Sequence, residues 1–115
     1  MLDHVVISVP ANRLEQVANW YLAALAPIGY AKQREYPGMA VGLGPNKDLA
    51  PFWIGVKEEA AIAATHIAFR SNDHYTVDQF YEEALKAGGK CNGKPGLRQM
   101  YHQEYYGAFV LDPMG

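Results

Sequence analysis

Val17-Ala18-Asn19-Trp20-Tyr21-Leu22-Ala23-Ala24-Leu25-Ala26-Pro27-Ile28-Gly29-Tyr30 returns sixty residues later as Val77-Asp78-Gln79-Phe80-Tyr81-Glu82-Glu83-Ala84-Leu85-Lys86-Ala87-Gly88-Gly89-Lys90. Five of the fourteen positions are identical: Val17/Val77, Tyr21/Tyr81, Ala24/Ala84, Leu25/Leu85 and Gly29/Gly89. Trp20 and Phe80 pair as aromatics. Upstream of each copy stands a His-led run, His4-Val5-Val6-Ile7-Ser8-Val9 and His66-Ile67-Ala68-Phe69-Arg70-Ser71. Any two amphipathic helices share apolar spacing. The same order of His-led run and helix in both halves makes a tandem duplication the better account.

Both His-led runs alternate as strands do, with side chains of period two. Val5, Ile7 and Val9 point one way, and His4, Val6 and Ser8 the other. Over residues 62–70, Ala63, Thr65, Ile67 and Phe69 share one face, and Ile62, Ala64, His66, Ala68 and Arg70 the other. Helices follow, with Asn12/Glu15 and Thr76/Gln79 spaced as capping boxes. Val17, Trp20, Tyr21, Ala24 and Leu25 form one apolar stripe, and Val77, Phe80, Tyr81, Ala84 and Leu85 the other. Further strands are expected near 29–36, 39–44 and 51–57, parted by Pro37-Gly38 and by Gly44-Pro45-Asn46-Lys47-Asp48. A short strand near 89–92, a loop over 92–96 and a strand over 105–111 complete the reading. The order is β-α-β-β-β and then β-α-β-β, one strand short of a second full unit.

The chain of 115 residues is half apolar or aromatic and 19% charged, the balance of one globular domain. Ten Lys and Arg against twelve Asp and Glu give a net charge of −2, with no basic footprint for nucleic acid. The single Cys91 excludes an internal disulfide and reads as a small buried side chain. Neither a secretion signal nor an apolar run of the ~20 residues that span a bilayer is found. A cytoplasmic protein is expected. Gly42, Gly44 and Gly55 lack the strand–glycine–helix setting of a phosphate loop.

In its ordered set of motifs the chain resembles the glyoxalase, bleomycin-resistance and extradiol-dioxygenase superfamily, also called vicinal oxygen chelate proteins. Leu2-Asp3-His4-Val5, Thr65-His66-Ile67-Ala68-Phe69, Pro95-Gly96-Leu97-Arg98 with Tyr101-His102, and the final Tyr105-Tyr106-Gly107-Ala108-Phe109-Val110-Leu111-Asp112-Pro113-Met114-Gly115 carry the resemblance. It implies an α+β fold of tandem βαβββ modules whose curved mixed sheets surround a cavity. One domain over 1–115 would hold module one at about 1–58 and module two at about 62–115. The last strand of module two would fall outside this chain.

The resemblance places His4 and His66 on the two His positions of metal-dependent members, with a divalent Zn, Fe, Ni, Mn or Co as the cofactor. Two imidazoles and a carboxylate with open positions suit a substrate bearing adjacent oxygens. Phe52-Trp53-Ile54-Gly55-Val56 offers no carboxylate, and the family's final Glu would lie past Gly115. His102 and Tyr105 are the acid–base candidates, His102 because it titrates near neutrality. Trp53, Arg70, Tyr106 and Phe109 are the substrate-binding candidates: aromatic walls, a hydroxyl and a cation for an anionic group. For each, packing or solvation is the competing account; Arg98 reads as a solvated loop residue, and His74 as exposed in the turn before the second helix. The leading function is a metal-dependent lyase, isomerase or dioxygenase acting on a small molecule. The alternative is a metal-free binding or sequestering protein of the bleomycin-resistance type. An unpaired sheet edge in module two leads to the expectation of a homodimer.

Overall fold

The computed structural model describes residues 1–58 and 65–115. Its first half runs β1 (Val5–Val9), α1 (Leu14–Leu25), β2 (Ala31–Tyr36), β3 (Ala40–Gly44) and β4 (Phe52–Val56). These strands form one sheet in the order β1-β4-β3-β2, with β1 parallel to β4 and the other neighbours antiparallel. The second half supplies α2 (His74–Lys86), β5 (Lys90–Leu97) and β6 (Tyr106–Leu111), the last two an antiparallel pair. The two sheets do not close into a barrel. α1 and α2 begin sixty residues apart, at Leu14 and His74, the offset of the repeated stretch.

Alternation decides which face of the first sheet is buried. Val9, Val41, Leu43, Phe52 and Ile54 point under α1 and meet Leu14, Val17, Ala18 and Leu25 in one apolar cluster. Burying a side chain of this size stabilises by roughly 1.5–3 kcal/mol against leaving it exposed. Pro37-Gly38 makes the turn between β2 and β3. Gly38 has φ 72°, Met39 N–H donates to Tyr36 C=O at 2.8 Å, and Pro at the preceding position sets the entry angle. A second cluster joins the helices. Trp20, Ala24 and Ala84 are buried together, and Trp20 Nε1 donates to the Ala84 carbonyl at 3.0 Å. Gly89 closes this contact, because a Cβ there would stand 2.7 Å from the Trp20 ring.

Several expectations are corrected. Residues 65–70 form no strand, while 62–64 lie outside the described residues. The alternation survives there all the same: Ile67 and Phe69 turn inward and His66, Ala68 and Arg70 outward. In the first half, β1 is held by parallel pairing to β4; among the described residues no strand offers 65–70 the same ladder. The loop expected at 92–96 is strand, continuous through register shifts at Cys91/Gly93 and Gly93/Gly96. Bulges of this kind let a Gly- and Pro-rich segment stay paired. Asn12 does not cap α1; it sits in a 3₁₀ turn, Ala11–Arg13, and α1 starts without a side-chain cap. α2 is capped by Asp73, which accepts from Thr76 N–H, so His74 is the first helical residue and Thr76 is the donor. Cys91 is exposed, not buried. No helix among the described residues is long and apolar enough to cross a membrane.

Candidate functional site

Among the described residues no helix covers the outer face of the first sheet. Register sets its side chains in rows, since cross-strand partners point to the same side. One row runs Arg34, Gly42, Trp53 and Val6; the next runs Tyr36, Ala40, Gly55 and Ser8. Trp53 lies flat on Gly42, where a Cβ would come within 2.7 Å of the indole ring. Tyr36 stacks on the same indole, with centroids 6.0 Å apart and planes 21° apart. Gly55, Ala40 and Ser8 leave a low floor beside this aromatic pair. Val6 touches that floor: a Cβ on Gly55 would meet it at 3.3 Å. Val6 is 55% exposed and Tyr36 59%, so the face is apolar as well as open.

His4 precedes β1 and is exposed, its Nδ1 bonded to the Asp3 carboxylate at 2.7 Å. His66 is exposed too and meets the Phe109 ring edge-on, centroids 5.7 Å apart. Among the described residues no group of three His, Cys, Asp or Glu side chains is placed to share a metal ion. Among the described residues the donor set for a resident metal is therefore incomplete.

The remaining sequence candidates scatter over three surfaces. His102 is exposed on the loop between β5 and β6, its ring 5.2 Å from that of Tyr105, which also meets Tyr101 at 5.0 Å. Phe109 shares the Tyr105 side of β6, by alternation. Tyr106 points the other way, to α2; its hydroxyl donates to Asp78 Oδ1 at 2.7 Å and the His74 ring stacks on it at 3.9 Å. That bond raises the Tyr106 phenol above its ordinary value. Arg70 is exposed in the 65–70 segment and makes no ion pair among the described residues. Trp53 is thus brought together with Tyr36, and His66 with Phe109, whereas Tyr106 is separated from both.

Sequence reading passed over two features. Arg98 does not hang free in its loop: its guanidinium donates to the Gly96 carbonyl at 3.0 Å and the Lys94 carbonyl at 2.7 Å. It also lies 5.3 Å from the centre of the Phe109 ring. Tyr36 is the other, because its stacking on Trp53 depends on sheet register. Two hollows lie away from these faces. One, about 410 Å³, is between the end of α1 and the start of α2 at Ala23, Ala26, Pro27, Tyr75 and Gln79. The other, about 350 Å³, is beside Trp20, Lys90 and Leu111.

No protein-family model matches the sequence, and none of the curated proteins matches it. Solved structures do. A glyoxalase/bleomycin resistance protein from Albidiferax ferrireducens superposes with a TM-score of 0.80 at 23% identity, over 98% of this chain and 90% of that one. A glyoxalase/bleomycin resistance protein/dioxygenase family enzyme from Burkholderia phytofirmans gives 0.67 at 18% identity, over 97% and 90%. A hypothetical protein from S. aureus gives 0.66 at 23% identity, over 96% and 86%. Its paired βα halves, its mixed sheet and these superpositions together give the chain the fold of the glyoxalase/bleomycin-resistance proteins.

Proposed function

We propose that the chain binds a small, planar, oxygen-bearing molecule on the open face of its first sheet, as a metal-free binding module. The observation that carries this reading is the Trp53 indole, held flat on Gly42 and against Tyr36 on a face that no helix among the described residues covers. A ring fixed in advance loses little freedom when a second ring stacks on it, and this is where binding energy is gained. The floor at Gly55 and Ala40 admits the ligand, and the Ser8 hydroxyl beside it offers a hydrogen bond to a ligand oxygen.

Titration of tryptophan fluorescence with catechol is the test. Quenching that saturates, survives a chelator and disappears in Trp53→Leu is expected, with Trp20 remaining as the buried reference. Quenching that persists in Trp53→Leu overturns the reading.

The metal-dependent reading rests on the exposed imidazoles of His4 and His66, to which His102 and Tyr105 would add an acid–base pair. It predicts bound divalent metal in protein purified without chelator. Equal metal content in the His4→Ala/His66→Ala double variant would reject that assignment. A homodimer belongs to either reading, since among the described residues the two-stranded β5-β6 sheet leaves strand edges that a second copy would cover. A sedimenting monomer at micromolar concentration would count against it.

A further inference from the structure

Arg98 is placed unlike a solvated surface arginine. Two of its five N–H donors are spent on the carbonyls of Lys94 and Gly96, which fixes the guanidinium plane against β5. Three donors remain. The group is half-buried, and among the described residues no carboxylate pairs with it. Beneath it lies Phe109, 5.3 Å from guanidinium carbon to ring centre, and on the same ring His66 sits edge-on at 5.7 Å. Gly93 makes room for this packing, because a Cβ there would stand 3.0 Å from Phe109 and 3.1 Å from the Arg98 guanidinium.

Arg98 is thus a cation immobilised by carbonyl oxygens against an aromatic ring that the His66 imidazole also meets. Arginine binds planar, two-oxygen anions through paired N–H bonds, and a fixed fork loses less freedom on doing so than a mobile one. The ring supplies apolar contact for the carbon attached to the anion. From this arrangement we infer that Arg98, with His66 as the second donor and Phe109 as the floor, forms a binding site for a small organic carboxylate. The site is on the second sheet and does not depend on the Trp53 platform, so either can fail alone.

The test is a heteronuclear NMR titration of the full chain with sodium benzoate, with benzamide and inorganic phosphate as comparators. Benzoate is expected to shift the signals of Gly93, Gly96, Phe109 and the Arg98 Nε–H along one saturating curve. Benzamide, equal in shape and uncharged, is expected to bind at least tenfold more weakly. Arg98→Gln should weaken benzoate at least tenfold and Arg98→Lys by less. Because Arg98→Gln also removes the bonds to Lys94 and Gly96, His66→Ala, which leaves that hairpin intact, serves as the second variant and should weaken benzoate about threefold or more. Unchanged affinity in His66→Ala, equal binding of benzamide, or shifts confined to other residues would overturn the site. Phosphate binding more tightly than benzoate would overturn its assignment to a planar carboxylate.

Discussion

Gly42 has no room for a side chain, and that fact supports the whole aromatic platform. In Gly42→Ala the new carbon would stand 2.7 Å from the Trp53 ring, so the indole must lift away from the sheet and from Tyr36. Overpacking of this kind costs about 1–3 kcal/mol. A shifted tryptophan emission and a lower urea midpoint are expected together; unchanged emission would show that the indole is not seated there. Tyr21 is a second single-residue test. Its hydroxyl donates to the Asp112 carboxylate, and burial first, then that bond and charge, hold the phenol proton far more tightly than usual. The stability from this raised value is complete below the ordinary tyrosine range, about pH 10, and falls as pH rises beyond it. Tyr21→Phe should therefore lose stability at pH 7 yet fall less steeply in alkaline urea titrations. The neighbours along one strand were legible in sequence: Trp53 with Gly55, and Val6 with Ser8. Gly42 beneath Trp53 and Tyr21 against Asp112 were not, since both depend on pairings distant in the chain.

Elements show where local signals compete. Ser71, Asn72, Asp73 and Thr76 are all residue types that cap helices, and Asp73 has the geometry. Its bonds from Thr76 hold the carboxyl below the usual aspartate range. The cap's contribution is therefore full above that range, about pH 4, and is lost as pH falls through the lowered value. Asp73→Ala should lower the urea midpoint at pH 7 with little change in slope, and the difference from the native chain should shrink in acid. An equal difference at every pH would assign the effect to something other than the carboxylate. The segment 65–70 makes the complementary point. Its alternation was readable and its inward Ile67 and Phe69 do reach the first core, but a ladder requires a partner strand that alternation cannot supply. β5 shows the reverse error, with Gly93, Pro95 and Gly96 suggesting a loop where two register shifts keep the strand paired.

At the scale of the molecule, burial is uneven. Of the fully buried apolar side chains among the described residues, Ala84 is the single one from the second half; the rest lie around α1 and the first sheet. A two-stranded sheet is marginal on its own and depends on what packs against it. Native-state hydrogen exchange should accordingly show the slowest amides in α1, β3 and β4 and faster exchange across β5 and β6. Uniform protection would mean that the second half gains support the monomer does not display, as in a dimer. Trp20 is one link between the halves: Trp20→Phe removes its donor to Ala84, whose carbonyl keeps the bond from Gly89 N–H at 2.8 Å, and should cost about 0.5–1.5 kcal/mol. The paired layout of the fold could be read from the repeat at 17–30 and 77–90. The thinness of the second half could not, because the two stripes look alike as sequence and differ in what lies beneath them.

The turn at Asp112–Gly115 is held by α1 and by the 3₁₀ turn that leads into it. Tyr21 donates to Asp112, and the Arg13 guanidinium donates to the Pro113 carbonyl at 3.1 Å. Asp112 in turn receives Met114 N–H at 2.8 Å and Gly115 N–H at 3.0 Å. A spin label or dye placed at Met114 would ride with α1 although it belongs to the second half. It would serve as a strain gauge, moving only when the two halves part company.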